Sequence, residues 1–134
     1  MAEIPHAYTV VTTEQTSTSD TYGNVTGASI SSSNFTAGRK YLIRVTAQMS
    51  GSNVNANFYG QLLHGSTAFT GSEYSFQPGA TTTYYTYDFL TVWTAVSSEG
   101  LQLQFKCETS GHTVSADQIT MVAIEISEEL TENT

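Results

Sequence analysis

The chain has 134 residues, of which 12% are charged, and twelve acidic residues against four basic ones give it a formal net charge of -8. This length fits one domain with a sizeable core, so we expect a single domain over residues 1–134. The negative charge repels phosphate backbones, and no apolar run is long enough to cross a bilayer. Nucleic acid and membrane are therefore not expected as partners.

The N-terminus and the single cysteine indicate the compartment in which the protein is made. Residues 1–6 have neither the basic start nor the apolar stretch of a secretory signal, so we expect synthesis in a cytoplasm. Cys107 is the only cysteine, which excludes an internal disulfide. It lies on the apolar face of an alternating segment, a position typical of a buried small hydrophobe.

Apolar and polar residues alternate with period two along most of the chain, and this pattern predicts β-strands. Turn residues separate the alternating segments, for example the Ser-Gly-Ser-Asn of residues 50–53. No segment carries a sustained apolar stripe at helical spacing. The sequence therefore predicts an all-β sandwich or barrel of about eight strands. In chain order the predicted strands are 7–14, 21–31, 39–50, 53–63, 67–76, 82–96, 100–109 and 113–127.

The same alternation assigns each side chain to a face. In residues 101–108 the odd positions hold leucine, phenylalanine and cysteine, while the even positions hold glutamine, lysine and glutamate. The segment that begins at Lys40 repeats this plan, and so does the segment from residue 53, in which Val54 and Phe58 would point inward. We expect these apolar faces to meet in one core. The predicted core residues are Ile43, Val45, Phe58, Leu101, Leu103, Phe105, Val122 and Ile124.

Two segments depart from simple alternation: residues 119–126 are apolar on both faces, and in residues 82–93 either both faces are apolar or a bulge switches the register midway. Residues 119–126 alternate poorly because nearly every position is apolar, and residues 82–93 concentrate tyrosine, phenylalanine and tryptophan. A strand covered on both sides has this composition, and we interpret the second cover of residues 119–126 as a partner subunit. For the aromatic segment, ordinary core packing, a subunit interface and a sugar-stacking platform are the alternatives. The predicted interface residues are Tyr84, Tyr85, Tyr87, Trp93, Ile119 and Met121.

Residues that perform chemistry are few and scattered. The histidines at positions 6, 64 and 112 are not spaced as zinc ligands, and no Gly-x-Ser-x-Gly nucleophile motif occurs. Twelve acidic residues always permit some pair of carboxylates, so such a pair is not diagnostic of glycoside hydrolysis. We therefore expect no catalytic residue, no metal ligand and no cofactor.

Four segments follow one another in a recognisable order: YTVV at 8–11, FTAGRKYLI at 35–43, HGSTAF at 64–69 and VAIEI at 122–126. In this order the chain resembles the small jelly-roll virion proteins of tailed bacteriophages, which include head decoration proteins and head-fibre modules. The resemblance covers most of the chain and implies an eight-stranded antiparallel jelly roll. A hydrophobic strand after an Ala-Gly-Arg-Lys turn also suits tumour-necrosis-factor-like and complement-like jelly rolls.

The resemblance implies a non-enzymatic structural protein on the exterior of a phage capsid. It implies a homotrimer that reinforces the shell, with the major capsid protein and further copies of itself as partners, and it transfers no functional residue. We expect an N-terminal arm of about residues 1–8 to contact the capsid through Ile4, Pro5, His6 and Tyr8, and an acidic tail of about residues 128–134 to face solvent. The alternative is a carbohydrate-binding or receptor-binding module of a tail or head fibre, with carbohydrate as the partner.

Overall fold

A computed structural model describes residues 6–126 of the chain. Apart from one 3-10 turn at Ser32–Asn34, the regular structure in this part of the chain consists of β-strands. The strands are β1 (His6–Val11), β2 (Gln15–Ser17), β3 (Gly23–Ile30), β4 (Lys40–Gly51), β5 (Phe58–His64), β6 (Thr67–Ala68), β7 (Tyr74–Phe76), β8 (Tyr85–Thr94), β9 (Leu101–Cys107) and β10 (Val114–Ile126).

The strands form two antiparallel sheets that pack face to face. Sheet A has the order β1-β10-β4-β8, and β2 also pairs with β10; sheet B has the order β3-β9-β5, and both β6 and β7 pair with β5. β1 and β2 pair with successive parts of β10, and β6 and β7 pair with successive parts of β5, so each pair counts as one interrupted edge strand and the sandwich has eight strands. All connections between these eight cross from one sheet to the other except the connection from β5 to β6. This is the jelly-roll connectivity. The predicted all-β sandwich of about eight antiparallel strands is confirmed.

The core lies between the two sheets and is built by alternation. In β9 every second side chain, from Leu101 to Cys107, is buried, and the intervening polar side chains are partly exposed. In β4 the buried positions run from Tyr41 to Met49 in the same way. Six of the eight predicted core residues are confirmed as buried, with exposed fractions of 3% or less. They are Ile43, Val45, Phe58, Leu101, Leu103 and Phe105.

The other two predicted core residues, Val122 and Ile124, lie on the outer surface of sheet A. Val122 is half-buried and Ile124 is 36% exposed. The cause is a β-bulge in β10, where the register with β4 shifts between Asp117 and Thr120 and Gln118 has a φ of 49°. One extra residue moves every later side chain to the opposite face. For this reason the side chains that point inward beyond the bulge are Ile119, Met121 and Ala123.

Two predicted strand boundaries are also wrong, for local reasons. Residues 53–57 do not extend β5, because the Asn53 side-chain oxygen accepts a hydrogen bond from the Asn55 amide at 2.7 Å and holds a turn. Val54 was expected to point inward but is exposed. The predicted strand 67–76 is divided into β6 and β7, and Gly71 between them has a φ of 83°.

Tyr87 ties β8 of sheet A to the β6–β7 connection of sheet B. Its side chain is 1% exposed, and its hydroxyl donates a 2.8 Å hydrogen bond to the Ser72 carbonyl. Burial raises the pKa of Tyr87 well above its ordinary value near 10. The neutral phenol therefore stabilises the fold below about pH 10, and this contribution is lost as the pH rises further.

We expect the free energy of unfolding to fall from about pH 9 upward, first through the thiol of Cys107, whose pKa burial also raises, and above about pH 10 through the tyrosines, with Tyr87 contributing up to about 1.4 kcal/mol per pH unit. Urea unfolding between pH 8 and pH 11.5 measures this decline. Tyr87→Phe removes the ionisable hydroxyl and should make the decline less steep, while Tyr22, whose pKa is also raised by burial and by the carboxylate of Glu73, still contributes. Equal slopes for the wild type and Tyr87→Phe would show that this tyrosine does not control alkaline unfolding.

Candidate interaction surfaces

The outer surface of sheet A carries apolar side chains on each of its four long strands. Because the strands are in register, outward side chains of β1, β10, β4 and β8 stand side by side in rows. We call three of these rows the apolar face. The first row is His6, Ile124, Leu42 and Val92; the second is Tyr8, Val122, Arg44 and Leu90; the third is Val10, Thr120, Thr46 and Asp88.

Exposed hydrophobic side chains concentrate on this face. Eight large apolar side chains are exposed in residues 6–126, and five of them belong to the apolar face: Tyr8, Val10, Leu90, Val92 and Ile124. Tyr8 is 68% exposed and Leu90 is 60% exposed. Contiguous apolar patches on soluble proteins mark sites of contact with other molecules, whereas isolated exposed hydrophobics do not.

The apolar face carries one ion pair. Arg44 donates two hydrogen bonds to the Asp88 carboxylate, at 3.2 and 3.0 Å, and this contact lowers the pKa of Asp88. These are the only charged side chains in the three rows, so the face has no net formal charge while the whole chain carries -8. Two copies that approach through this face avoid the repulsion that their remaining surfaces exert.

Most of the predicted interface residues are placed elsewhere. Tyr87, Trp93, Ile119 and Met121 are buried between the sheets, with exposed fractions of 6% or less, so they are not on a surface that a partner could contact. The β10 bulge accounts for Ile119 and Met121. In β8, Tyr87 and Trp93 point inward and their neighbours Leu90 and Val92 point outward. Only the part of β8 around Leu90 and Val92 is therefore apolar on both faces, and β8 pairs with β4 without a bulge.

The other two predicted interface residues lie near one end of β8. Tyr84 is 47% exposed, and its hydroxyl donates a hydrogen bond to Glu14 at 3.2 Å. Tyr85 is partly buried, and its hydroxyl accepts a 2.7 Å hydrogen bond from the Gly79 amide. Of the six predicted residues, Tyr84 alone offers a large exposed surface.

Of the four residues of the predicted capsid-contact arm, two lie outside the described residues and two belong to β1. Ile4 and Pro5 lie outside the described residues. His6 and Tyr8 belong to β1, where they pair with Ile124 and Val122 of β10. These two side chains are therefore part of the apolar face, and an arm separate from the sandwich is restricted to residues before His6.

The outer surface of sheet B is polar and differs sharply from the apolar face. The pairing of β3, β9 and β5 aligns Asn24, Gln104 and Gln61 in one row. Lys106 and Tyr59 form the adjacent row. The two outer surfaces of the sandwich therefore present different chemistry in opposite directions.

The histidines make structural contacts. His64 Nδ1 lies 2.8 Å from Glu99 Oε1, and its ring packs 4.6 Å from Phe69 and 5.8 Å from Trp93. This contact joins the β5–β6 turn to the β8–β9 turn. His112 Nε2 lies 3.4 Å from the Asn53 side-chain nitrogen. Residues 6–126 contain no group of three or more His, Cys, Asp or Glu side chains arranged to hold a metal ion.

Cys107 is fully buried, and its thiol contacts the carbonyl oxygens of Ser17 at 3.5 Å and His112 at 3.2 Å. Burial raises the pKa of the thiol, so the reactive thiolate is scarce near neutral pH.

We expect a disulfide reagent such as Ellman's reagent to leave Cys107 unmodified in the native protein and to modify it fully in urea. Stoichiometric labelling without denaturant would contradict this.

The comparisons with known proteins agree with the jelly-roll connectivity. No model of a protein family matches the chain, and no curated protein matches it in sequence. Among solved structures, the chain is similar to the PRD1 vertex protein P5, with a TM-score of 0.55 and 15% identity over 94% of this chain and 100% of that one. It is also similar to VP2 in the infectious bursal disease virus subviral particle, with a TM-score of 0.54 and 11% identity over 96% of this chain and 43% of that one. At these identities the likeness establishes the fold alone.

Proposed function

We propose that this chain is a non-enzymatic structural protein of a virus particle, which decorates and reinforces the exterior of a phage capsid as a homotrimer. The observation that carries the proposal is the apolar face. A monomer in solution leaves Tyr8, Leu90 and Val92 in water, whereas an assembly covers them.

We assign further copies of this chain as the occupants of the apolar face. Its exposed apolar side chains and its lack of net charge together favour self-association of a chain whose overall charge is -8. Closed cyclic symmetry also removes sheet edges from solvent. The resemblance to trimeric phage proteins supports a threefold arrangement.

The apolar face is smaller than a standard subunit interface, so the proposed contact also includes residues outside it. Four strands about 4.8 Å apart and three rows about 6.7 Å apart give roughly 400 Å² in plan. A standard interface buries roughly 800 Å² per partner. The exposed Tyr84 and Val96 lie just beyond the two ends of β8 and extend the available surface.

The fold likenesses support a role in the particle. The PRD1 protein that aligns over its whole length is named as a vertex protein, and VP2 is named as part of a subviral particle. By analogy we assign the major capsid protein as the partner of this chain. The same analogy supports a location on the virion surface.

Particles purified with and without this protein test the reinforcing role. A protein that binds the assembled shell and not its separated subunits shifts the disassembly equilibrium toward the shell. We expect particles that lack the protein to release their genome at a lower temperature, and readdition of the purified protein should restore the wild-type value. Equal heat resistance would exclude reinforcement.

Deletion of residues 2–5 tests the capsid-contact arm. The deletion stops before β1, so the sandwich keeps all its described strands. We expect the shortened protein to fold and to show reduced capsid occupancy in sedimentation with empty shells. Unchanged occupancy would exclude the arm and leave the loops of the sandwich as the contact.

A further inference from the structure

The outer surface of sheet B carries chemistry that the capsid role does not use. Polar aromatic rings, amides, one ammonium and one carboxylate meet there on a surface that lies on the opposite side of the sandwich from the apolar face. We call this surface the amide–tyrosine face. Its members are Tyr22, Asn24, Tyr59, Gln61, Glu73, Gln104 and Lys106.

The amides form an ordered chain across three strands. Gln61 Nε2 donates to Gln104 Oε1 at 2.9 Å, and Gln104 Nε2 donates to Asn24 Oδ1 at 2.9 Å. Each amide orients the next, and within the described part of the chain the Gln61 oxygen and the Asn24 nitrogen make no side-chain hydrogen bond to protein. The row therefore offers an acceptor at one end and a donor at the other, both held in fixed positions.

The Tyr22 side chain lies across this face. Tyr22 precedes β3 and Glu73 precedes β7, and these strands lie at opposite edges of sheet B, yet the Tyr22 hydroxyl donates a 2.6 Å hydrogen bond to the Glu73 carboxylate. Lys106 Nζ lies 4.7 Å from the centre of the Tyr22 ring and 4.9 Å from the centre of the Tyr59 ring. These cation–π contacts and the hydrogen bond hold both rings in place before any ligand arrives.

We propose that the amide–tyrosine face binds a neutral glycan built from hexopyranose units. Tyr22 and Tyr59 are partly buried, and a ring face that Lys106 does not cover would take the C–H face of a pyranose. The amides can donate hydrogen bonds to sugar hydroxyls and accept them, and the carboxylate can accept them. Acidic sugars are disfavoured by a chain with a net charge of -8. Because sheet B faces away from the apolar face, a trimer joined through sheet A leaves the glycan site free.

NMR spectroscopy of the isolated protein tests this site directly. The probes are maltohexaose, cellohexaose, mannohexaose and chitohexaose, with 3′-sialyllactose as the acidic comparison, each titrated to millimolar concentration. We expect at least one neutral probe to shift the side-chain amide signals of Asn24, Gln61 and Gln104 in a saturable way. No saturable shift with any neutral probe, or stronger binding of sialyllactose, would overturn the proposal.

Variants separate this site from nonspecific binding. Tyr22→Ala should weaken binding about tenfold or more through loss of the ring, and Gln61→Ala about three- to tenfold through loss of hydrogen bonds. Tyr22→Phe keeps the ring and should keep most of the affinity, provided that its amide spectrum remains dispersed. The matched control is Tyr84→Ala, which removes a tyrosine that also donates to a carboxylate, that of Glu14, but lies outside this face.

Two results with these variants would contradict the proposal. Equal binding by Tyr22→Ala, Gln61→Ala and the wild type would place any glycan contact elsewhere and overturn the proposal. A loss of binding in Tyr84→Ala as large as in Tyr22→Ala would also contradict it. The experiment uses no particle, so its result is independent of the proposed capsid role.

Discussion

Gly51→Ala is expected to lower the free energy of unfolding by about 3 kcal/mol, a large effect for one methyl group. Gly51 ends β4 and is buried, and a β-carbon built on it would overlap the ring of Phe58. Phe58 is fully buried and packs 5.8 Å from Phe76, so its ring has little room to move. Urea unfolding followed by tryptophan fluorescence measures the loss.

A double-mutant cycle identifies the clash as the cause. Phe58→Leu removes the ring, so Gly51→Ala should cost far less in that background than in the wild type. Gly23→Ala is the matched control, because Gly23 is also a strand glycine but a β-carbon there would meet no atom within 4 Å. We expect Gly23→Ala to change stability by about 0.5 kcal/mol or less. Equal costs for the two glycine substitutions would contradict the packing described here.

Val92→Asp is expected to dissociate the proposed trimer, with the dissociation constant rising about 100-fold or more. Val92 is 53% exposed in the chain and pairs with Leu42 in the first row of the apolar face. A covering subunit would bury the new carboxylate without a partner of opposite charge, which is costly. Sedimentation equilibrium at micromolar concentration measures the change.

The control for this variant is Ser75→Asp, which adds the same charge at an exposed position of β7 in sheet B. It should leave the trimer intact, and both variants should unfold as cooperatively as the wild type. A wild-type chain that is monomeric at micromolar concentration would contradict self-association through the apolar face. So would a Val92→Asp variant that remains trimeric.

Local alternation determines most of the fold. In β4 and β9 each side chain could be assigned to the correct face, because these two strands alternate without a break and the extra residues at the register shifts lie in their partners β10 and β3. The faces of β10 could not be assigned from the sequence. The bulge after Asp117 shifts the alternation by one residue, and because nearly every position of residues 119–126 is apolar, the sequence does not show which of them point inward. Because of this one extra residue, Met121 points into the core and Val122 points outward, the reverse of the prediction.

The candidate surfaces were harder to predict than the core. The apolar face combines strands that are far apart in the sequence, for example β1 with Tyr8 and β8 with Leu90, and only the strand order brings them together. The outward position of Leu90 and Val92 follows from alternation alone. The amide–tyrosine face depends on the contact between Tyr22 and Glu73, 51 positions apart, for which the sequence carries no signal.

Mass spectrometry of purified virus particles tests the central claim most directly. If the chain is a structural component of the capsid exterior, it should be present in intact particles in many copies, in a fixed ratio to the major capsid protein, and accessible to surface proteolysis. Its absence from purified particles, with the protein found only in the lysate of infected cells, would contradict the claim.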